Sequence, residues 1–173
     1  PAEASEAYPL GCINKLKQTT TAEPDGNCIL GNPSADKTFA ILGDSHAGQW
    51  GTGLHRAAKS LDYKVVMRTK AACPAADQKI YSMPLKRMYR ECDQWRPRAI
   101  RELLDLGPDF VFISQADVIG GSDISDTVWA QATARTIAQF QEAGIGVIFM
   151  LDTPLIPLDV PSCVAEHLEA TNK

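Results

Sequence analysis

The sequence of 173 residues lacks several patterns that would define its class at once. It has no apolar run long enough to cross a bilayer and no charged leader, and it begins with Pro1, so we expect a piece of a longer polypeptide. The formal net charge of -4 at pH 7 argues against nucleic acid as a partner, since neutralising phosphates requires a surplus of lysine and arginine. The length is enough for one sizeable core.

The motifs of metal and nucleotide sites are also missing. There is no Cys-x-x-Cys, no Cys/His pair with zinc spacing, and no Gly-x-Gly-x-x-G or Walker-type loop. We therefore predict no metal and no cofactor, and a nucleotide-binding domain is disfavoured.

The sequence has 5 cysteines, and four of them fall into two pairs. Cys12 and Cys28 bracket a turn-rich segment, and Cys73 and Cys92 bracket an irregular one. A disulfide in each pair would hold a loop that has little core of its own, and this predicts an oxidising compartment. Buried free thiols are the alternative. Cys163 is left without a partner.

Apolar runs and amphipathic segments alternate after an irregular first part. We predict strands near 39–43, 63–68, 109–114 and 145–151, and helices over 46–61, 92–106 and 126–143. Pro97 fits the second helix only if it starts near Trp95, and Asp126 is placed to cap the third. The order predicts an α/β fold, a three-layer sandwich with a parallel sheet. Residues 1–37 would form an irregular segment held by a disulfide, and 38–173 the domain.

Several residues with potential catalytic side chains follow the first predicted strand, in Gly43-Asp44-Ser45-His46. Ligands bind at the carboxyl ends of parallel strands, where a serine on a tight turn projects its hydroxyl away from the sheet. Ser45 is therefore a candidate nucleophile. The alternative is that Asp44 or Ser45 only caps the following helix.

The stretch Phe39-Ala40-Ile41-Leu42-Gly43-Asp44-Ser45-His46-Ala47 resembles the first block of the SGNH hydrolase superfamily. Gly-Asp-Ser-His is similar to SGNH domains fused to acyltransferase-3 membrane domains, which O-acetylate cell-wall or surface glycans. Ala72-Cys73-Pro74, and Asp152-Thr153-Pro154 leading to Val160-Pro161-Ser162-Cys163, match the same subgroup. The similarity runs from about residue 38 to 168 and implies a flavodoxin-like SGNH fold that is truncated at the C terminus.

The resemblance also implies roles for individual residues. Ser45 would accept the acyl group and offer its backbone N-H to the oxyanion, while Asp44 and His46 would shape the turn; a locally bonded helix residue is the alternative for His46. The third block of the superfamily, Gly-x-Asn-Asp, appears here as Ser114-Gln115-Ala116-Asp117, so its asparagine oxyanion donor is missing. Either Gln115 supplies an amide instead, or it is an ordinary loop residue.

The general base of the family, a histidine in Asp-x-x-His, is absent. His55 falls on a predicted helix face, and His167 has Val164 three residues before it. We therefore expect the Asp-x-x-His, and a cysteine partner for Cys163, beyond Lys173.

Together these features predict an extracytoplasmic O-acyltransferase that works through an acyl-Ser45 intermediate. The acyl donor would come from a membrane acyltransferase-3 domain in the same polypeptide, the acceptor would be a cell-envelope glycan, and the full-length protein would be attached to the membrane. A carbohydrate esterase with the same nucleophile, and a non-catalytic glycan-binding or regulatory module, are the alternatives.

Overall fold

A twisted sheet with helices on both faces organises the protein, as a computed structural model that describes residues 12–21, 28–117, 124–152 and 160–167 shows. In chain order the strands are β1 (Ile13–Asn14), β2 (Ile29–Gly31), β3 (Lys37–Gly43), β4 (Tyr63–Lys70), β5 (Tyr81–Ser82), β6 (Arg87–Met88), β7 (Phe110–Ser114) and β8 (Gly146–Met150). The helices are α1 (Ser45–Gly48), α2 (Gly51–Leu61), α3 (Arg90–Leu106), α4 (Asp126–Glu142) and α5 (Val160–Glu166).

The predicted parallel strands are confirmed as β3, β4, β7 and β8. The sheet order is β1-β4-β3-β7-β8, and β3 pairs in parallel with both β4 and β7. The central strands are continuous apolar runs because both of their faces are covered. Ile41 and Leu42 are adjacent in β3, point to opposite faces, and are both 0% exposed.

Two apolar layers cover the sheet and confirm the three-layer architecture. On one face Leu42 and Ile113 pack with Trp95 of α3 and Phe140 of α4. On the other, Ile41 and Phe112 belong to the cluster that also holds Ala47 of α1 and Ala58 of α2.

The prediction of a single helix over 46–61 is wrong, because the chain breaks it after Gly48. The N-H of Trp50 bonds to the carbonyl of Ala47 at 3.2 Å, three residues back, instead of continuing the four-residue pattern. Gly48 and Gly51 flank the break, and glycine is a poor helix former. The result is a one-turn helix that carries the candidate serine and a separate helix behind it.

Two further helix boundaries differ from prediction. α3 starts at Arg90, so Pro97 lies inside the helix instead of near its start. The buried Cys92 and Trp95 hold the earlier turns against the core, which offsets the backbone hydrogen bond lost at proline. Ser125, and not Asp126, caps α4, since its hydroxyl accepts from the N-H of Val128.

The first part of the chain is not irregular throughout, because two of its strands join the sheet. β1 pairs in parallel and β2 antiparallel with β4, along the edge of β4 that faces away from β3. The predicted division after residue 37 therefore falls inside β3, directly after its first residue, Lys37.

Both predicted disulfides are present. Cys12–Cys28 joins the residues that precede β1 and β2, and Cys73–Cys92 joins the segment after β4 to α3. Cys163 is a free, exposed thiol in α5. That segment after β4 also contains the short β5–β6 hairpin, where the sequence predicted only irregular chain.

Candidate active site at the carboxyl edge of the sheet

Gly43 ends β3 in a position that has no room for a side chain. Its φ is +150°, and a Cβ there would lie 1.8 Å from the carbonyl oxygen of Ser114 and 2.8 Å from the Cβ of Ala47. Glycine therefore allows the end of β3 to approach both β7 and the first turn of α1.

Asp44 fixes the turn on both sides. Its carboxylate accepts the N-H of His46 at 2.8 Å through Oδ1 and the N-H of Ala116 at 3.0 Å through Oδ2. The residue is 1% exposed, and burial raises the pKa of Asp44, while the two backbone donors lower it in part. Asp44 thus caps α1 and ties it to the loop after β7.

Ser45 is the first residue of α1 and is half-buried at this edge. Within the described residues its hydroxyl makes no hydrogen bond, and the cap is supplied by Asp44. The alternative that Ser45 caps the helix is therefore not supported. The structure leaves this hydroxyl available for chemistry.

His46 reaches across the sheet to Asp152, for which the sequence motifs predict no role. Its Nδ1 lies 2.6 Å from Oδ1 of Asp152, and Oδ2 of Asp152 accepts the N-H of Asp117 at 3.1 Å. Asp152 comes two residues after the end of β8. It belongs to the Asp-Thr-Pro stretch that matched the subgroup, and its place after a predicted strand was the available signal. The backbone N-H of His46 is thus bonded locally to Asp44, whereas its ring makes a contact that spans 106 positions.

Comparison with known proteins identifies the family. A model of the SGNH domain (fused to AT3 domains) matches residues 12–173. The chain belongs to this family. The match starts earlier than the predicted residue 38 and includes β1 and β2.

One solved structure is similar in fold, the periplasmic domain of the lipopolysaccharide acetyltransferase of Salmonella ser. Paratyphi A. The TM-score is 0.66 and the identity 20%, over 90% of this chain and 60% of that one. The chain thus spans less than two thirds of that structure. No curated protein matches this chain.

Gln115 occupies a different environment in this SGNH domain from the one an oxyanion donor needs. It is 1% exposed, its Oε1 accepts the N-H of Ala76 at 2.9 Å, and its Nε2 donates to Oγ1 of Thr133 at 2.9 Å. These contacts argue against the predicted oxyanion role. They indicate that Gln115 holds the segment after β4 against α4.

The other two histidines of the domain are engaged elsewhere. Nδ1 of His55 accepts the N-H of Gly31 at 3.0 Å, and Nδ1 of His167 lies 2.8 Å from the carbonyl oxygen of Cys163. In the described part of the chain no hydrogen bond joins a histidine to Ser45. The predictions of an Asp-x-x-His and of a cysteine partner for Cys163 fall outside the described residues.

The described residues contain neither a candidate metal cluster nor a candidate membrane-spanning helix. Over 12–21, 28–117, 124–152 and 160–167, no cluster of three or more His, Cys, Asp or Glu side chains is arranged to hold a metal ion. In the same ranges, no helix of the SGNH domain has the length and apolar character needed to span a bilayer.

Proposed function

We propose that this SGNH domain transfers an acyl group through an ester on Ser45. The observation that carries the proposal is that the hydroxyl of Ser45 makes no hydrogen bond within the described residues, while the adjacent Asp44 and His46 are both held by hydrogen bonds. Asp44 takes the capping role, so nothing in the described structure competes for the serine. A nucleophilic serine in other α/β hydrolytic folds occupies the same kind of strand-to-helix turn.

The chemistry has two steps. In the first, Oγ of Ser45 attacks the carbonyl carbon of the donor, the hydroxyl proton passes to a general base, and the leaving group departs with a proton. The backbone N-H of Ser45 is the proposed oxyanion donor. In the second, an acceptor hydroxyl attacks the acyl carbon and gives its proton to the base, the bond between that carbon and Oγ breaks, and Oγ takes up the proton from the base. No described histidine is bonded to Ser45, so the base in this proposal lies outside the described residues.

Acetyl is the proposed acyl group, and a cell-envelope glycan the proposed acceptor. Support comes from the family, whose members are fused to AT3 domains, and from the similar solved structure, which is a lipopolysaccharide acetyltransferase domain. The donor would be delivered by an AT3 membrane domain of the same polypeptide. The two disulfides fit an extracytoplasmic location.

The test is acetylation of the full-length protein by p-nitrophenyl acetate, followed by intact-mass and peptide analysis. We expect an acetyl group on Ser45, and Ser45→Ala should lose both the adduct and transfer by about a thousandfold or more. The melting temperature should stay within about 2 °C, because a half-buried hydroxyl without a partner adds little stability.

Ser60→Ala is the matched control. Its hydroxyl bonds to the carbonyl of Arg56 on the exposed face of α2, away from the turn. This variant should acetylate normally. Undiminished acetylation and transfer in Ser45→Ala would refute the proposal.

A non-catalytic glycan-binding module is the second candidate, favoured by the lack of a described histidine bonded to Ser45. It predicts no acetyl adduct on Ser45 in the full-length protein and glycan binding that survives Ser45→Ala. An esterase, in contrast, forms the same adduct and passes the acetyl group to water even when glycans are present.

A further inference from the structure

The contact between His46 and Asp152 crosses the mouth of the proposed site. The strands run in the order β3-β7-β8, so the ends of β3 and β8 are two strand spacings apart, about 10 Å. His46 starts from the β3 side and Asp152 from the β8 side, and they meet above the loop that follows β7. The imidazole therefore forms part of the surface beside Ser45.

Asp152 holds the imidazole ring of His46 in place from a buried position. Its side chain is 6% exposed, and its second oxygen accepts the N-H of Asp117 at 3.1 Å. A carboxylate in this position can only accept, so Nδ1 of His46 carries the hydrogen of the 2.6 Å contact. In the neutral ring, Nε2 then has a free lone pair. The side chain of His46 is 38% exposed, and Nε2 makes no hydrogen bond within the described residues.

The ring flanks Ser45 and does not cover it. Consecutive residues of a helix point about 100° apart, so side chains at neighbouring positions do not face each other. No hydrogen bond joins Ser45 and His46 in the described structure. This geometry fits a group that holds the incoming molecule, and it does not fit the base that deprotonates Ser45.

We propose that Nε2 of His46 accepts a hydrogen bond from an acceptor hydroxyl adjacent to the one that attacks acyl-Ser45, and that Asp152 positions the ring for this contact. The acceptor class is thus a vicinal diol, such as a sugar ring. The hydroxyl that attacks acyl-Ser45 gives its proton to the general base and not to His46. This inference rests on the proposed acyl-Ser45 function and adds a determinant of its second step.

The experiment measures where the acetyl group goes. Full-length protein is acetylated with p-nitrophenyl acetate in the presence of methyl glucoside, which has neighbouring hydroxyls, or 1-propanol, which has one. We expect the wild type to prefer methyl glucoside, and His46→Ala to lower that preference about three- to tenfold, the size of one neutral hydrogen bond. The preference is the ratio of two products formed from the same acyl-Ser45, so it does not depend on the rate at which Ser45 becomes acetylated.

A double-mutant cycle then separates positioning from general stability. If Asp152 acts through His46, Asp152→Ala should lower the preference to a similar degree, and the double variant should lose no more than His46→Ala alone. Asp105→Ala is the control, since this exposed carboxylate on α3 is remote in the fold from the turn. It should leave both the acetylation rate and the preference unchanged.

Asp152→Asn provides a spectroscopic readout that does not depend on turnover. The asparagine oxygen can keep the bond from Asp117, and its amide then faces Nδ1 of His46 as a donor. The imidazole nitrogen resonances of His46 should therefore change from the Nδ1-H to the Nε2-H pattern. An unchanged tautomer would refute the positioning role of Asp152.

The remaining outcomes are also decisive. A wild type with no preference for the diol, a preference that survives His46→Ala, or additive losses in the double variant would overturn the inference while leaving acyl-Ser45 intact. If no acetyl adduct forms on Ser45, the proposed function itself fails, and the nitrogen resonances alone decide whether Asp152 sets the ring.

Discussion

Replacing Gly43 by alanine should damage the core of the site, and the structure indicates by how much. The new Cβ would lie 1.8 Å from the backbone oxygen of Ser114, far inside contact distance. Gly43 and Ser114 are register partners of β3 and β7, so this carbonyl cannot move away without distorting the sheet. The φ of +150° adds strain for any residue with a Cβ.

Two effects contribute to the expected loss. A backbone conformation that strongly favours glycine costs about 1–2 kcal/mol for alanine, and overpacking in a rigid core typically costs about 1–3 kcal/mol. We therefore expect Gly43→Ala to lower the free energy of unfolding by about 3 kcal/mol. For a domain of this size, that corresponds to a melting temperature lower by about 6–12 °C.

Two other glycines separate these effects in a urea or thermal unfolding series. Gly107 has φ +60° but open space around it, so Gly107→Ala should lose only the conformational part, about 1 kcal/mol. Gly53 lies inside α2 with nothing within 4 Å, so Gly53→Ala should gain about 0.5–1 kcal/mol. If Gly43→Ala were no worse than Gly107→Ala, the close approach of β3 and β7 would be refuted.

Two further predictions concern a buried disulfide and a buried lysine near the end of β4. Replacing both Cys73 and Cys92 by alanine should lower the free energy of unfolding by about 3 kcal/mol, as for a loop of this length, while Cys163→Ser should have little effect; equal urea midpoints for the two variants would contradict this. Burial lowers the pKa of Lys70 to about 8, although its Nζ donates to three backbone carbonyls within 15–18. Because the unfolded chain then binds more protons between pH 8 and the ordinary lysine pKa, the stability of the wild type relative to Lys70→Met should rise over that interval, and a flat difference would contradict the shift.

The strands of the fold could be predicted because their signal is local. β3 and β7 are apolar at every central position, and this pattern needs no partner to be recognised. The break between α1 and α2 was not predictable in the same way, because Trp50 fits the helical spacing of the apolar positions. The helix ends because the N-H of Trp50 bonds to the carbonyl of Ala47, in a turn flanked by glycines. The indole of Trp50 also makes an edge contact with Phe112 of β7, which is visible only in the folded structure.

The candidate site shows the same limit more sharply. Gly43 to His46 are contiguous, so their turn could be predicted from four letters. The partner of His46 lies on another strand, and nothing in the sequence measures the distance between Asp152 and the turn. For Gln115, a family position suggested an oxyanion role, and only the fold shows that its buried side-chain amide is bonded to Ala76 and Thr133.

Three of the four residues of the turn connect it to the rest of the sheet edge, and only the side chain of Ser45 makes no such connection within the described residues. Gly43 permits the close approach to β7, Asp44 joins α1 to the loop after β7, and His46 joins α1 to the end of β8. Each link is made by atoms other than the hydroxyl of Ser45, and each connects the turn to a different part of the same sheet edge. Because the surrounding dipoles and charges are already fixed, the proposed acyl transfer would need little reorganisation of the turn, which is the condition under which electrostatic stabilisation of a transition state is strongest. A serine used only as a cap would need none of these cross-sheet links.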